Sequence, residues 1–278
     1  MTIVVTGGGR CGWFAQALLC AALGATLLAG CKTTTTVDGA EVSPSTAVPG
    51  ATEGDQHKRA AVRLQLATNY YQSGQLQIAI DTARRAIELD PSSAMAHGLL
   101  GLMLMDVGQV VQAEASFQRG LALEPENPDL NNNYAWFLCQ TGHERSSIAY
   151  FDKALTARLY QSPARALQNA GMCLLRIHDD EAAEKYLLRA LAADASSPVA
   201  KFQLAQMYLH QRRFERCDFY FDLLTRTTET NAEVLWLGTR IAHAKGDSTT
   251  ERSFIAQLQT RFPDSPQTDA LHHARFDE

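Results

Sequence analysis

From about residue 60 onward, apolar residues recur every three to four positions in stretches of roughly a dozen, the spacing of amphipathic helices. A glycine or proline breaks the pattern at regular intervals. Gly74, Gly108 and Gly142 stand 34 residues apart, each between two such stretches. Small residues at Ala67, Gly101, Ala135, Gly171, Ala205 and Gly238 follow at steps of 34, 34, 36, 34 and 33. A second ladder, Ala79, Ala113, Ser147, Ala183 and Cys217, keeps the same rhythm, and Pro91 and Pro125 close the first two units. Each period holds two antiparallel helices joined by a turn, with small side chains where the pair crosses closely. One pair cannot bury its apolar stripe alone, so consecutive pairs stack into a continuous core. Leu66, Tyr70, Leu100, Leu104, Leu138 and Phe151 are assigned to that packing. His178 and Arg212 occupy the turn position where glycine is expected, which predicts altered turns in the fourth and fifth units.

The stride is the tetratricopeptide period. It predicts an all-α tetratricopeptide-repeat solenoid of six hairpins over residues 58–266, followed by a polar C-terminal tail, 267–278. In such repeats the first helix of each pair lines a concave groove through positions 2, 5, 9 and 12. In the first unit these are Ala61, Leu64, Thr68 and Tyr71. In the second they are Met95, Gly98, Leu102 and Met105, with Leu99 adjacent. In the third they are Asp129, Asn132, Trp136 and Cys139, with Gln140 beside them. An apolar groove edged by amides suits an extended polypeptide, because amides hydrogen-bond its backbone while Met, Leu and Trp accept its side chains. Asn131 and Asn133, flanking Asn132, are assigned to helix ends or solvent. The Lys, Asn and Arg of a carboxylate clamp are missing from this face, which argues against capture of a peptide C-terminus.

Composition narrows the function classes. The 278 residues are 46% hydrophobic and 20% charged, with a net charge of −5 and no basic run, which argues against nucleic acid as a partner. Nothing beyond residue 50 approaches the 18 consecutive apolar residues of a membrane span. Arg10 precedes the apolar stretch GWFAQALLCAALGATLLAG, which reads as a secretion signal. It ends in Leu28-Ala29-Gly30-Cys31, which resembles the lipobox of bacterial lipoproteins. That resemblance implies removal of residues 1–30 and a covalent lipid on Cys31; the alternative is a plain signal with a chance cysteine. Lys32 rather than Asp follows, which in such lipoproteins favours the periplasmic face of the outer membrane. Residues 32–57 carry almost no large apolar side chains and are expected, with Cys31, to form a flexible tether reaching about 30 Å. No zinc-ligand spacing, phosphate-binding glycine loop or nucleophile elbow is present, and His272-His273 sits in the polar tail. The expectation is therefore no enzyme activity, no metal, no small-molecule substrate and no cofactor other than the lipid.

Once Cys11, Cys20 and Cys31 are set aside, Cys139, Cys173 and Cys217 remain. Cys139 and Cys173 lie on the first helices of consecutive units at similar heights. The oxidising periplasm permits a bridge between them; two buried free thiols are the other possibility.

The signal, tether and repeats, joined to the local words NNYAWFLCQTG, NAGMCLL from Asn169 to Leu175, and LWLGTRIAHAKGD leading to RFPDSP, resemble the type IV pilus pilotin family, the PilW/PilF-type biogenesis and stability proteins. The resemblance spans essentially the whole mature chain. It implies a non-enzymatic assembly lipoprotein whose groove holds the secretin subunit of the pilus machine and promotes its outer-membrane localisation and oligomerisation. It also implies a Cys139–Cys173 disulfide. Competing readings are a scaffold lipoprotein of another envelope machine, such as outer-membrane β-barrel assembly, and a regulator of a cell-wall enzyme.

Overall fold

The computed structural model describes residues 53–276. The signal, Cys31 and the tether up to residue 52 lie outside the described residues. Six helical hairpins succeed one another: α1 (Glu53–Gln72) with α2 (Leu76–Leu89), α3 (Ala94–Asp106) with α4 (Val110–Leu123), and α5 (Pro128–Gln140) with α6 (Glu144–Thr156). Then come α7 (Pro163–Arg176) with α8 (Asp180–Ala193), α9 (Pro198–His210) with α10 (Phe214–Thr227), and α11 (Ala232–Lys245) with α12 (Ser248–Arg261). A short α13 (Pro266–His272) ends the series. Within each hairpin the two helices pack along their length, and the first helices of successive hairpins lie side by side. This is the tetratricopeptide solenoid.

The small-residue ladders sit where the helices of a pair meet. Ala67, Ala135 and Ala205 are fully buried, as are Ala79, Ala113, Ser147, Ala183 and Cys217. At the glycine steps the approach is closer. A Cβ on Gly171 would lie 2.7 Å from Leu187 Cγ, and one on Gly101 would lie 2.9 Å from the Phe117 ring. Large side chains fill the space beside these crossings. Phe117, Phe137 and Phe151 are buried, with Tyr134 edge-on to Tyr150 at 4.9 Å. Side-chain oxygens of Ser93, Asn127, Ser197 and Asn231 accept the N-terminal N–H groups of α3, α5, α9 and α11. Leu66 departs from its packing assignment: it is 41% exposed on α1, the first helix among the described residues.

Three expectations are corrected. First, helix begins at Glu53, so residues 53–57 belong to the folded body instead of the tether. Ala60 is buried and His57 Nδ1 lies 2.8 Å from Asp90 Oδ2 beyond α2, which holds this opening turn against its hairpin partner. Second, the turns of repeats four and five are not altered. In all six hairpins the residue after the turn donates its N–H to a carbonyl five residues earlier, from Gln75 to Tyr70, Gln109 to Leu104, His143 to Leu138, Asp179 to Leu174, Arg213 to Tyr208 and Asp247 to Ala242. His178 (φ 58°) and Arg212 (φ 55°) adopt the left-handed conformation that Gly74, Gly108, Gly142 and Gly246 take elsewhere. The surrounding hairpin imposes the geometry although a Cβ disfavours it. Third, the tail is not merely polar. Pro266 stands 34 residues after Ala232, so α13 is the shortened first helix of a further repeat, capped by the Ser265 hydroxyl. Thr268 and Ala270 are buried, and α13 closes the core over Leu235, Trp236 and Leu258.

Candidate protein-binding groove

The first helices carry the functional face, because side chains one turn apart along each share a stripe. In repeats one and two, Leu64, Thr68, Tyr71, Leu99, Leu102 and Met105 are half-buried, while Met95 is 54% exposed. Tyr71, Leu99, Leu102 and Met105 pack against the core of the first repeats while remaining partly open. Thr68 turns its hydroxyl back to Leu64 O at 2.9 Å, within its own helix. Tyr71 O–H donates to Asp106 Oδ2 at 2.6 Å, joining the ends of α1 and α3. Burial, then that carboxylate, raises the phenol pKa well above its usual value.

In repeat three the asparagine run divides its labour. Asn131 Nδ2 donates to Pro125 O and Asn127 O, both at 2.8 Å, which fixes the start of α5 to the preceding turn. Asn132 is only 2% exposed. Its Nδ2 donates to Asn133 Oδ1 at 3.1 Å, and its Oδ1 accepts from Asn169 Nδ2 on α7 at 3.4 Å. The expected role of Asn132 as an open groove donor is corrected accordingly. The neighbouring first helix covers it, and its amide joins α5 to α7.

Trp136 and Gln140 do reach the groove. They wall a cavity of about 420 Å³ with Met172, Leu175 and Arg176 of α7 and Gln203, Gln206, Met207 and His210 of α9. Trp136, Met172, Leu175 and Gln206 are half-buried, and Gln140 is exposed. Arg176 bridges the rim, with Nη1 donating to Gln140 Oε1 at 3.2 Å and Nε in an ion pair with Glu144 Oε1 at 3.2 Å. The sulfurs of Cys139 on α5 and Cys173 on α7 are joined as a disulfide, with Cα atoms 5.8 Å apart and both residues fully buried. Cys139 follows Trp136 by three residues and Cys173 follows Met172 directly, so the bridge ties together the two helices that carry the cavity walls. Cys217 is free and buried, and burial pushes its thiol up to about 12.

The groove extends past the residues expected for it. The same positions 2, 5, 9 and 12 fall on Arg165, Gln168, Met172 and Leu175 in repeat four, and on Val199, Phe202, Gln206 and Leu209 in repeat five. In repeat six, counted back from the Gly246 turn, they fall on Glu233, Trp236, Arg240 and His243, one step beyond the register that Gly238 alone gives. A second cavity of about 410 Å³ is lined by Val199, Phe202, Gln203, Gln206, Trp236 and Arg240, with Gln267 after α13 begins. Gln203 and Gln206 line both cavities, so the apolar channel with amide edges runs from α5 to α11. The repeat register, with its 36-residue step into repeat four, identifies these residues; no unusual composition marks them.

Chemically the groove offers apolar surface and amides, with the guanidinium groups of Arg165, Arg176 and Arg240, the carboxylates of Asp180 and Glu233 and the imidazoles of His178 and His210. Among the described residues, no group of three or more His, Cys, Asp or Glu side chains is placed to hold a metal ion, and no helix is long and apolar enough to cross a membrane. The fold and this face define a tetratricopeptide-repeat protein-interaction scaffold. Tetratricopeptide-repeat family models match residues 64–128 and 164–197. The chain superposes on the crystal structure of PilW, a widely conserved type IV pilus biogenesis factor, with a TM-score of 0.73 and 31% identity, over 76% of this chain and 97% of that one. A solved structure of Pseudomonas aeruginosa PilF matches with a TM-score of 0.70 and 26% identity, over 79% of this chain and 99% of that one. In sequence, the type IV pilus assembly protein PilF of P. aeruginosa is 28% identical over 202 residues, which covers 73% of this chain and 80% of the relative. The chain belongs to the PilW/PilF-type family of tetratricopeptide-repeat proteins.

Proposed function

We propose that the chain is a non-enzymatic assembly lipoprotein of the type IV pilus machine. Its groove binds the secretin subunit and promotes that subunit's localisation and oligomerisation in the outer membrane. The supporting observation is the match to the pilus factor PilW across nearly all of that protein, combined with an amide-edged apolar cavity on the first helices of repeats three to five. Trp136, Met172 and Leu175 receive side chains of the bound segment, while Gln140, Gln203 and Gln206 serve its backbone. In this reading a lipid on Cys31 holds the body at the periplasmic face of the outer membrane. Two acyl signals give stable attachment where one chain gives only reversible binding.

Genetic replacement separates the two parts of the proposal. A Cys31→Ala chain is expected in the soluble periplasmic fraction, with fewer secretin rings in the outer membrane. Outer-membrane fractionation identical to wild type contradicts the lipid anchor. Leu175→Asp places a charge in the groove without touching the anchor, and is expected to leave fractionation unchanged while lowering ring formation.

A further inference from the structure

Past α13 the chain folds back over repeat six. Ala274 takes a left-handed φ of 51°, and the Arg275 N–H donates to Ala270 O at 2.9 Å, the same reverse turn that ends the other hairpins' first helices. The turn delivers Phe276 onto α11. Its ring stacks on Trp236 at 5.4 Å with an inclination of 28°, and on His243 at 4.0 Å, nearly parallel at 6°. Arg240, itself 5% exposed, donates from Nε to the Phe276 carbonyl at 2.8 Å, and its Nη2 lies 3.0 Å from His210 Nε2 on α9.

Those three contacts use positions 5, 9 and 12 of repeat six. A piece of the chain therefore lies where the repeat register places a bound segment. It is held as such a segment would be, with one aromatic side chain against two rings and one main-chain carbonyl on a guanidinium. The turn that brings it there is built on an alanine in a conformation an L side chain disfavours, and Phe276 itself is only half-buried. Binding is thus opposed by local strain, as suits an occupant that can leave.

We infer that repeat six is a second segment-binding face for an aromatic residue of an extended partner polypeptide, and that Phe276 is its resident, displaceable occupant. The face adjoins the channel described above, since Trp236 and Arg240 line the cavity that shares Gln203 and Gln206 with the Trp136 cavity. One extended partner segment can therefore run from repeat three to repeat six once Phe276 withdraws. The inference rests on the groove reading but names a new site, a ligand chemistry and a gate.

The probe is a fluorescein-labelled hexapeptide of the chain's own sequence, HARFDE, residues 273–278, with its phenylalanine-to-alanine form as control. Titrated by fluorescence anisotropy, the probe is expected to bind a Phe276→Ala chain at least tenfold more tightly than the wild-type chain. Adding Arg240→Ala to that chain is expected to abolish binding, and the control peptide is expected not to bind. Ala274→Pro provides a second route, because proline cannot adopt a φ of 51° and releases Phe276 without altering the face. Equal affinity for wild-type and both opened chains overturns the inference, as does absence of binding up to millimolar peptide by opened chains with native circular dichroism. The latter result makes Phe276 a structural cap only. The probe contains no secretin sequence, so its failure leaves the secretin reading untouched, and failure of secretin binding leaves this result standing.

Discussion

Trp136 and Trp236 stand on the same side of the same solenoid and each lines a cavity, yet one stays half-buried and the other is covered. Trp136, on α5, is half-buried and walls an opening that continues across α7 and α9. Trp236, on α11, is 8% exposed beneath Phe276. Their helices share geometry, crossing and turn. The difference lies further along the chain. Beyond α5 come full hairpins that leave its face open, whereas beyond α11 come a truncated helix and a segment that folds back. A register position in this fold therefore assigns a direction, and the neighbours decide whether it becomes site or core.

Truncating each tryptophan tests that contrast most strongly. Trp236→Ala removes a buried ring that belongs to the terminal core cluster and is expected to cost about 3–5 kcal/mol in urea unfolding. Trp136→Ala removes a ring with one open side and is expected to cost less than about 2 kcal/mol. Equal losses would show that the two faces are equally packed. Next in size is the cross-link between α5 and α7. The double change Cys139→Ser and Cys173→Ser is expected to lower stability by about 3–4 kcal/mol, since the bridge closes a loop of 34 residues. Protease cleavage is then expected to shift toward the connection between α6 and α7. Unchanged stability in protein prepared from the periplasm would mean that the bridge does not fasten the cavity walls.

The smallest expected effect is a gain. His178→Gly or Arg212→Gly is expected to stabilise the chain by about 1 kcal/mol, because each relieves a left-handed side chain without changing the turn. A loss at either position would mean that its side-chain contacts outweigh the strain. His178 lies beside the open cavity and Arg212 beside the covered face, so the pair also compares the two regions.

The period, the crossing ladders and the stacking were legible in the sequence because they depend on residue size at fixed intervals. The open cavity was half legible. Trp136 and Gln140 fall on it by spacing, but its far walls, Met172, Leu175 and Gln206, occupy the same repeat positions in units whose composition draws no notice. Asn132 misled because spacing gives the direction of a side chain and not whether the next helix covers it. His178 and Arg212 misled for the opposite reason, since tertiary packing overrode a local preference. The tail was obscured because α13 has only 7 residues, too few to display a helical period, and because Phe276 is one aromatic among polar neighbours.

The central claim is that the open channel holds the secretin subunit, and site-specific photocrosslinking tests it directly. A benzophenone residue at Gln140 or Gln206, inside the channel, is expected to capture the secretin subunit on irradiation of intact envelopes. The same residue at Arg189, exposed on the second helix α8, is expected to capture none. Capture from Arg189 with none from the two channel positions would contradict the account.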